Sequence, residues 1–271
     1  MANTADFGVF GGSGFYDLLK NPETITVKTP FGPTSDKITQ GEISGKRVAF
    51  LPRHGVGHKH PPHKIPYKAN LFAFKKLGVK YIIAPCACGS LQPEIKPGDF
   101  LVCDQFVNFT HGRDNTYFHG PEVVHTSMAD PYCPQLSEAV IGAAKRLKIK
   151  IWPKGTVVVI EGPRFSSRAE SQFFTKMGWE VVNMTAFPEC VLARELGMCY
   201  LNIALVTDND AGLLGENGIK PVNFDQVLAV MEDNNDRVKK LIFELINSFN
   251  VKQSCSCAVM TPEAERLIAQ G

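Results

Sequence analysis

The sequence predicts an α/β protein with a mixed or largely parallel sheet covered by helices. Short apolar runs alternate with helical patterns along the chain. Several runs, above all Thr156 to Ile160, are continuously β-branched, as in strands covered on both faces. The 271 residues suit one large α/β domain, expected to span 1–271.

The elements follow in order. Phe7 to Phe10 is an apolar run closed by glycines, a buried strand, and Val48 to Leu51 is a second. Pro66 to Leu77 reads as a helix, with Leu71, Phe74 and Leu77 on one face and Gly78 as its stop. Tyr81 to Ala84 and Phe100 to Cys103 are strands. Leu136 to Leu147 is helical through Val140, Ala144 and Leu147. Thr156 to Ile160, Val181 to Met184 and Leu201 to Val206 are strands, the last two separated by a helix from Pro188 to Leu196. The longest helical pattern runs from Phe224 to Phe249, and Thr261-Pro262-Glu263 can start one more short helix.

Composition excludes several classes. Lys and Arg number 29 against 27 Asp and Glu, a net charge of +2 with no basic stripe, which argues against nucleic-acid binding. No apolar run approaches the ~20 residues of a bilayer span. The first residues do not form a secretory signal, so a cytoplasmic location and no membrane partner are expected. The eight cysteines are expected to be thiols. They contain no C-x-x-C pair, which argues against a zinc ribbon. Cys255-Ser256-Cys257 fits either a reducible local disulfide or an incidental spacing.

Ligands of such sheets bind beyond the strand ends, and there the chemistry-bearing residues cluster. Gly11-Gly12-Ser13-Gly14 can cradle an anion or form an ordinary tight turn. Arg53-His54-Gly55 places a planar cation at a strand end, suited to phosphate. His58, His60 and His63 follow; without a carboxylate or cysteine nearby they read as a polar loop rather than a metal site. Cys86-Ala87-Cys88-Gly89-Ser90 offers small residues after the third strand. The segment Glu161 to Glu170 holds two arginines and two acids, costly to bury for packing alone, and Phe165 as a face for a flat base. Asn183-Met184-Thr185 and Thr207-Asp208-Asn209-Asp210 end two later strands; the paired aspartates fit a metal site, an acid/base site or a loop cap.

Taken together these segments resemble the trimeric purine nucleoside phosphorylase superfamily, in its methylthioadenosine phosphorylase branch. The motifs in family order are Arg53-His54-Gly55, Ala87 to Leu91, Asp104-Gln105-Phe106, Glu161 to Ser171, Asn183-Met184-Thr185 and Thr207-Asp208-x-Asp210. The resemblance implies a phosphorylase-type three-layer sandwich around a mixed, partly closed β-sheet. It implies phosphate held by Ser13, Arg53, His54, Thr185 and the Cys86–Ala87 backbone. Met184 would sit by the ribose, and Phe165 and Ser166 would line the base pocket. Asp208 and Asp210 would meet the purine N7 and 6-amino edge. His125 would reach the 5′ group in a neighbouring subunit, and Phe224, Val227 and Leu228 would wall the 5′-methylthio pocket. A homotrimer or hexamer is implied, with inorganic phosphate as co-substrate and no metal or organic cofactor.

Three departures from the family pattern stand out. Cys86 stands where many relatives carry threonine, Asn209 and Ala211-Gly212 replace an aromatic-containing version, and Phe224 replaces a small aliphatic residue. Ser166 in place of glutamate, and Asp208 in place of asparagine, favour a 6-aminopurine over a 6-oxopurine. The alternatives are the same chemistry on inosine, guanosine or methylthioinosine, and binding without catalysis.

Overall fold

The structure, a computed structural model, describes residues 4–11, 19–121, 123–213, 224–252 and 254–270, without the side chains of 224–229 and 231–233. Ser13 lies outside the described residues, and so do the side chains of Phe224, Val227 and Leu228.

The strands are β1 (Phe7–Phe10), β2 (Lys20–Ile25), β3 (Ile38–Ile43), β4 (Lys46–Leu51), β5 (Tyr81–Ser90), β6 (Phe100–Val102), β7 (Gln105–Phe109), β8 (Ile151–Trp152), β9 (Thr156–Ile160), β10 (Val181–Asn183) and β11 (Cys199–Asn209). The α-helices are α1 (Tyr67–Lys76), α2 (Pro134–Leu147), α3 (Arg168–Lys176), α4 (Ala186–Glu195), α5 (Phe224–Ser248) and α6 (Pro262–Gln270). The strands form one mixed sheet in the order β2-β3-β4-β1-β5-β10-β9-β7, with β11, β6 and β8 branching from β5.

Alternation along the central strands explains why both faces are covered. Phe7, Val9, Val48, Phe50, Tyr81, Ile83, Leu201 and Ile203 join one core with Leu136 and Val140 of α2 and Leu241 and Leu245 of α5. Phe10, Ala49, Leu51, Ile82, Ala84 and Tyr200 join another with Leu71 and Phe74 of α1 and Leu192 of α4. Each of these central strands is apolar on both faces, so each face needs its own helical layer.

Most elements fall where the sequence places them. Four short strands (β2, β3, β7 and β8) and α3 are additional. α3 opens with a local signal: Ser167 accepts from the Glu170 amide while the Glu170 side chain accepts from the Ser167 amide, a capping box. A correction concerns Cys86 to Ser90. The sequence reads them as a loop after a strand, but they are the second half of β5.

Candidate active site

The long strand β5 changes neighbours along one edge. Tyr81 to Ile83 pair in parallel with β1, whereas Gly89 and Ser90 pair antiparallel with β10. On the opposite edge β11 pairs along the whole of β5. Among the described strands, Ala84 to Cys88 therefore have no partner on the first edge. This notch exposes backbone polar groups to whatever fills it.

Arg53, just beyond β4, lies at the notch. Its Nη1 donates to the Pro85 carbonyl at 3.1 Å, and its Nε and Nη2 donate to Glu189 of α4 at 2.7 and 2.9 Å. Arg53 is 7% exposed and Glu189 0%. Burial alone would lower the guanidinium pKa, but the Glu189 charge outweighs it and raises it, so Arg53 stays cationic. Tyr200 donates to the same carboxylate at 2.7 Å.

Cys86 lies opposite. Its Sγ is 3.5 Å from the Cys88 Sγ and accepts from Asn183 Nδ2 at 3.1 Å and Asn202 Nδ2 at 3.3 Å. The Cys88 hydrogen bond, aided by the Arg53 charge, holds the Cys86 thiol below its usual range despite burial. Thr185 is buried two residues beyond Asn183, whose Oδ1 is 3.4 Å from the Thr185 amide. His54 keeps Nδ1 2.9 Å from the His60 carbonyl, and its ring stacks on His58 with centroids 4.1 Å apart. A carbonyl only accepts, so Nδ1 carries the proton. Burial, with the Arg53 charge, lowers the His54 pKa to about 4, which leaves the ring neutral near pH 7.

Further along β5 lies the aspartate pair. The register between β11 and β5 slips between Val206 and Asp208, so Thr207 is an inserted residue. Such a bulge re-aims the side chains that follow it. Thr207 Oγ1 donates to Asp208 Oδ1 at 2.7 Å. A Cβ on Gly89 would meet Asp208 Oδ2 at 3.0 Å, so only glycine lets the carboxyl lie this close to β5. Burial raises the Asp208 pKa to about 6, and Asp210 adds to the rise. Burial also raises the Asp210 pKa. Hydrogen bonds from Ser171 and Ser166 oppose that rise and tie Asp210 to the segment before α3 and to α3 itself.

Phe165 is 39% exposed and Ser166 8%, beside the Asp210 turn. Met184 packs against Gly162, where a Cβ would lie 2.5 Å from its Sδ. Arg113 binds the carbonyls of Met184 and Glu161 at 2.8 and 2.6 Å and so ties the ends of β9 and β10 together. The structure thus sets Arg53 and His54, beyond β4, against the Pro85–Ala87 stretch of β5, with Thr185 two residues past the Asn183 that binds Cys86; Met184 and Ser166 follow β10 and β9, Asp208 lies near the end of β11 and Asp210 just beyond it. His125 is exposed on the segment between β7 and α2.

One expectation is corrected. The charges of the Glu161–Glu170 segment are not buried around a ligand: Arg164 pairs with Glu170 at 2.8 and 2.7 Å on the surface, at the start of α3. Sequence reasoning also misses Glu189, Asn202 and Arg113. Glu189 carries a signal, as an acid inside the otherwise apolar stretch from Ala186 to Leu192. Asn202 and Arg113 carry none.

The S-methyl-5'-thioadenosine phosphorylase of Thermofilum pendens is 48% identical over 259 residues, covering 95% of this chain and 97% of that protein. The purine nucleoside phosphorylase of Streptomyces coelicolor is 46% identical over 269 residues, covering 95% of each. A crystal structure of methylthioadenosine phosphorylase sourced from an Antarctic soil metagenomic library superposes with a TM-score of 0.90 at 37% identity, covering 98% of each chain. The family model of the phosphorylase superfamily matches residues 6–247, and the chain belongs to that superfamily.

Proposed function

We propose that this chain catalyses phosphorolysis of 5′-methylthioadenosine to adenine and 5-methylthioribose 1-phosphate. The observation that carries the reading is Asp208: a half-covered carboxyl with a pKa raised to about 6, aimed by a strand bulge, on the same strand pair as the Arg53 notch.

Cleavage of the N-glycosidic bond builds positive charge on the ribose and negative charge on the purine. Phosphate in the notch would meet Arg53, the Thr185 hydroxyl, Ser13 and the Cys86–Ala87 backbone. The His54 Nε2 is left as an acceptor, suited to the remaining proton of monohydrogen phosphate. Held under the sugar, the dianion would stabilise the cationic transition state and then bond to C1′. Asp208 in its protonated form would give its proton to N7 of the leaving adenine. The base would cover the carboxyl and desolvate it further, which favours that form. Asp210 would accept from the 6-amino group. Phe165 and Ser166 would line the base, Met184 the ribose, and Phe224, Val227 and Leu228 the 5′-methylthio group. Every atom is accounted for by substrate and phosphate, so no cofactor is called upon.

We further propose that the 1–271 chain is a single domain acting in the cytoplasm as a homo-oligomer, with His125 completing a neighbour's site. No helix among the described residues is long and apolar enough to cross a membrane. An exposed aromatic face supports association: Phe109, Phe165, Phe173 and Met177 are 37%, 39%, 47% and 53% exposed.

The second reading is phosphorolysis of 6-oxopurine nucleosides; the Streptomyces coelicolor relative is named for purine nucleosides in general. A panel of methylthioadenosine, adenosine, inosine, guanosine and methylthioinosine, with and without phosphate, separates the two. Phosphate-dependent release of adenine from methylthioadenosine is expected to lead; preferred turnover of inosine would eliminate the first reading.

A further inference from the structure

Away from the site above, three distant segments bring four cysteines to one point. Cys133 precedes α2, Cys199 begins β11, and Cys255 and Cys257 lie in the stretch between α5 and α6. Their four Sγ atoms all lie within 4.8 Å of one another. Cys255 Sγ is 3.7 Å from that of Cys133 and 3.4 Å from that of Cys199. Cys133 and Cys199 are fully buried and Cys257 is 3% exposed.

These separations discriminate between chemistries. Sulfurs joined in a disulfide stand about 2.05 Å apart. Four thiolates at about 2.3 Å from one tetrahedral zinc stand about 3.8 Å apart. The distances from Cys255 to Cys133 and Cys199, 3.7 and 3.4 Å, are near a tetrahedron's edge and too long for a disulfide, and no pair of the four sulfurs is more than 4.8 Å apart. We propose that Cys133, Cys199, Cys255 and Cys257 form a structural tetrathiolate site for a soft divalent cation of the zinc class.

Neighbouring structure agrees with this. Thiolate is the form a metal takes, and binding would release the four thiol protons to solvent. Among the described residues, polar contacts tie the start of the stretch that supplies Cys255 and Cys257 to α2 and the sheet. Gln135 Nε2 donates to the Lys252 carbonyl at 2.8 Å, the Ser254 amide donates to Gln135 Oε1 at 3.1 Å, and the Tyr81 hydroxyl donates to the Val251 carbonyl at 2.8 Å. A metal here would fasten the end of the chain to the sheet and to α2. The sequence hides the site because its ligands are scattered, and Cys255-Ser256-Cys257 is not the spacing of a zinc ribbon.

The test uses the full-length protein. Material purified without chelator is expected to carry about one zinc per chain by elemental analysis. After reduction and removal of metal, cobalt(II) is expected to bind at about one equivalent with the visible spectrum of a tetrahedral thiolate complex. Cys255→Ser changes a half-exposed ligand and should fold; it is expected to weaken cobalt affinity about 10-fold or more and to alter the sulfur-to-cobalt absorption. Failure of the reduced wild-type protein to bind stoichiometric cobalt or zinc overturns the proposal. So does a cobalt spectrum unchanged by Cys255→Ser. These readouts do not depend on turnover, so they are independent of the catalytic reading.

Discussion

Glu189 grips the guanidinium of Arg53 side-on, with Nε to Oε2 at 2.7 Å and Nη2 to Oε1 at 2.9 Å, and both groups are shielded from solvent. The carboxylate takes Nε and one N–H of Nη2 and the Pro85 carbonyl one N–H of Nη1, which leaves one N–H on each Nη for a ligand in the notch. Glu189 is thus a positioning residue for the cation proposed to meet phosphate. Glu189→Ala leaves a buried, unpaired arginine and is expected to cost about 3–5 kcal/mol of stability. Glu189→Gln keeps the shape but loses the charge. It should raise KM for phosphate much more than KM for nucleoside. Equal changes in both, in initial-rate measurements, would assign Glu189 to packing alone.

Asp208 sets a pH dependence. Its folded pKa, about 6, lies above the ordinary 3.8. If the protonated carboxyl serves the leaving base, kcat/KM for methylthioadenosine falls as pH rises through about 6. The same shift acts on stability. The folded state holds this proton more tightly than the unfolded chain. Its contribution is fully present below about pH 4 and is lost as pH rises through about 6. Asp208→Asn is expected to remove this limb of the rate profile and to lower the rate on 6-aminopurine substrates about 10²–10⁴-fold. It should lower the rate on inosine far less, because an amide can donate to a 6-oxo group. A pH–rate profile of variant and parent on both substrates checks all three points.

Cys86 makes a separate prediction. Its thiol is held below the usual range beside Arg53, by Cys88 first and then by the arginine's charge. A thiolate formed there competes with phosphate for the same cation. KM for phosphate is therefore expected to climb as pH rises past neutrality. Cys86→Thr should flatten that climb and lower KM at alkaline pH. Phosphate should also protect Cys86 from alkylation, measured by mass spectrometry of the labelled peptide.

The exposed aromatics next to α3 test the assembly. Phe109, Phe173, Phe174 and Trp179 pack ring to ring at 5.0–6.2 Å, and Phe173 leaves nearly half of its surface outside. Phe173→Asp puts a charge where a second copy would have to desolvate it. It is expected to shift sedimentation from oligomer to monomer with little loss in chain stability. A variant that sediments like the parent would place the interface elsewhere.

The sequence reveals the layers and the position of the chemistry more fully than the site's internal wiring. Continuous apolar runs such as Val48 to Leu51 place both cores, because burial on each sheet face demands apolar residues. The short strands β2 and β7 are exposed or half-exposed and so lack that pattern. Arg53, Thr185 and Asp208 stand out because polar groups follow apolar runs. Asn202 does not, since it sits within the run from Cys199 to Val206 and its hydrogen bond to Cys86 comes from strand register alone. The notch itself depends on β5 exchanging β1 for β10, a pairing between distant segments that no local pattern encodes.

Gly212 links the aspartate pair to α3. Its amide donates to Ser171 Oγ at 2.7 Å, and an added Cβ would lie 2.6 Å from that oxygen and 2.7 Å from the Gln172 amide nitrogen. Both neighbours belong to the first half of α3, and the backbone one cannot rotate away. Gly212→Ala must therefore push the turn after β11 off the helix, carrying Asp210 away from Ser166. The strain is expected to cost about 1–3 kcal/mol of stability. A displaced Asp210 should lose its grip on the 6-amino group, so adenosine-type substrates should suffer more than inosine. Ser171→Ala in the same background removes the nearer clash but leaves the backbone contact, and should restore melting temperature only in part. Full recovery would show that the hydroxyl alone, not the close approach of the two backbones, fixes the turn.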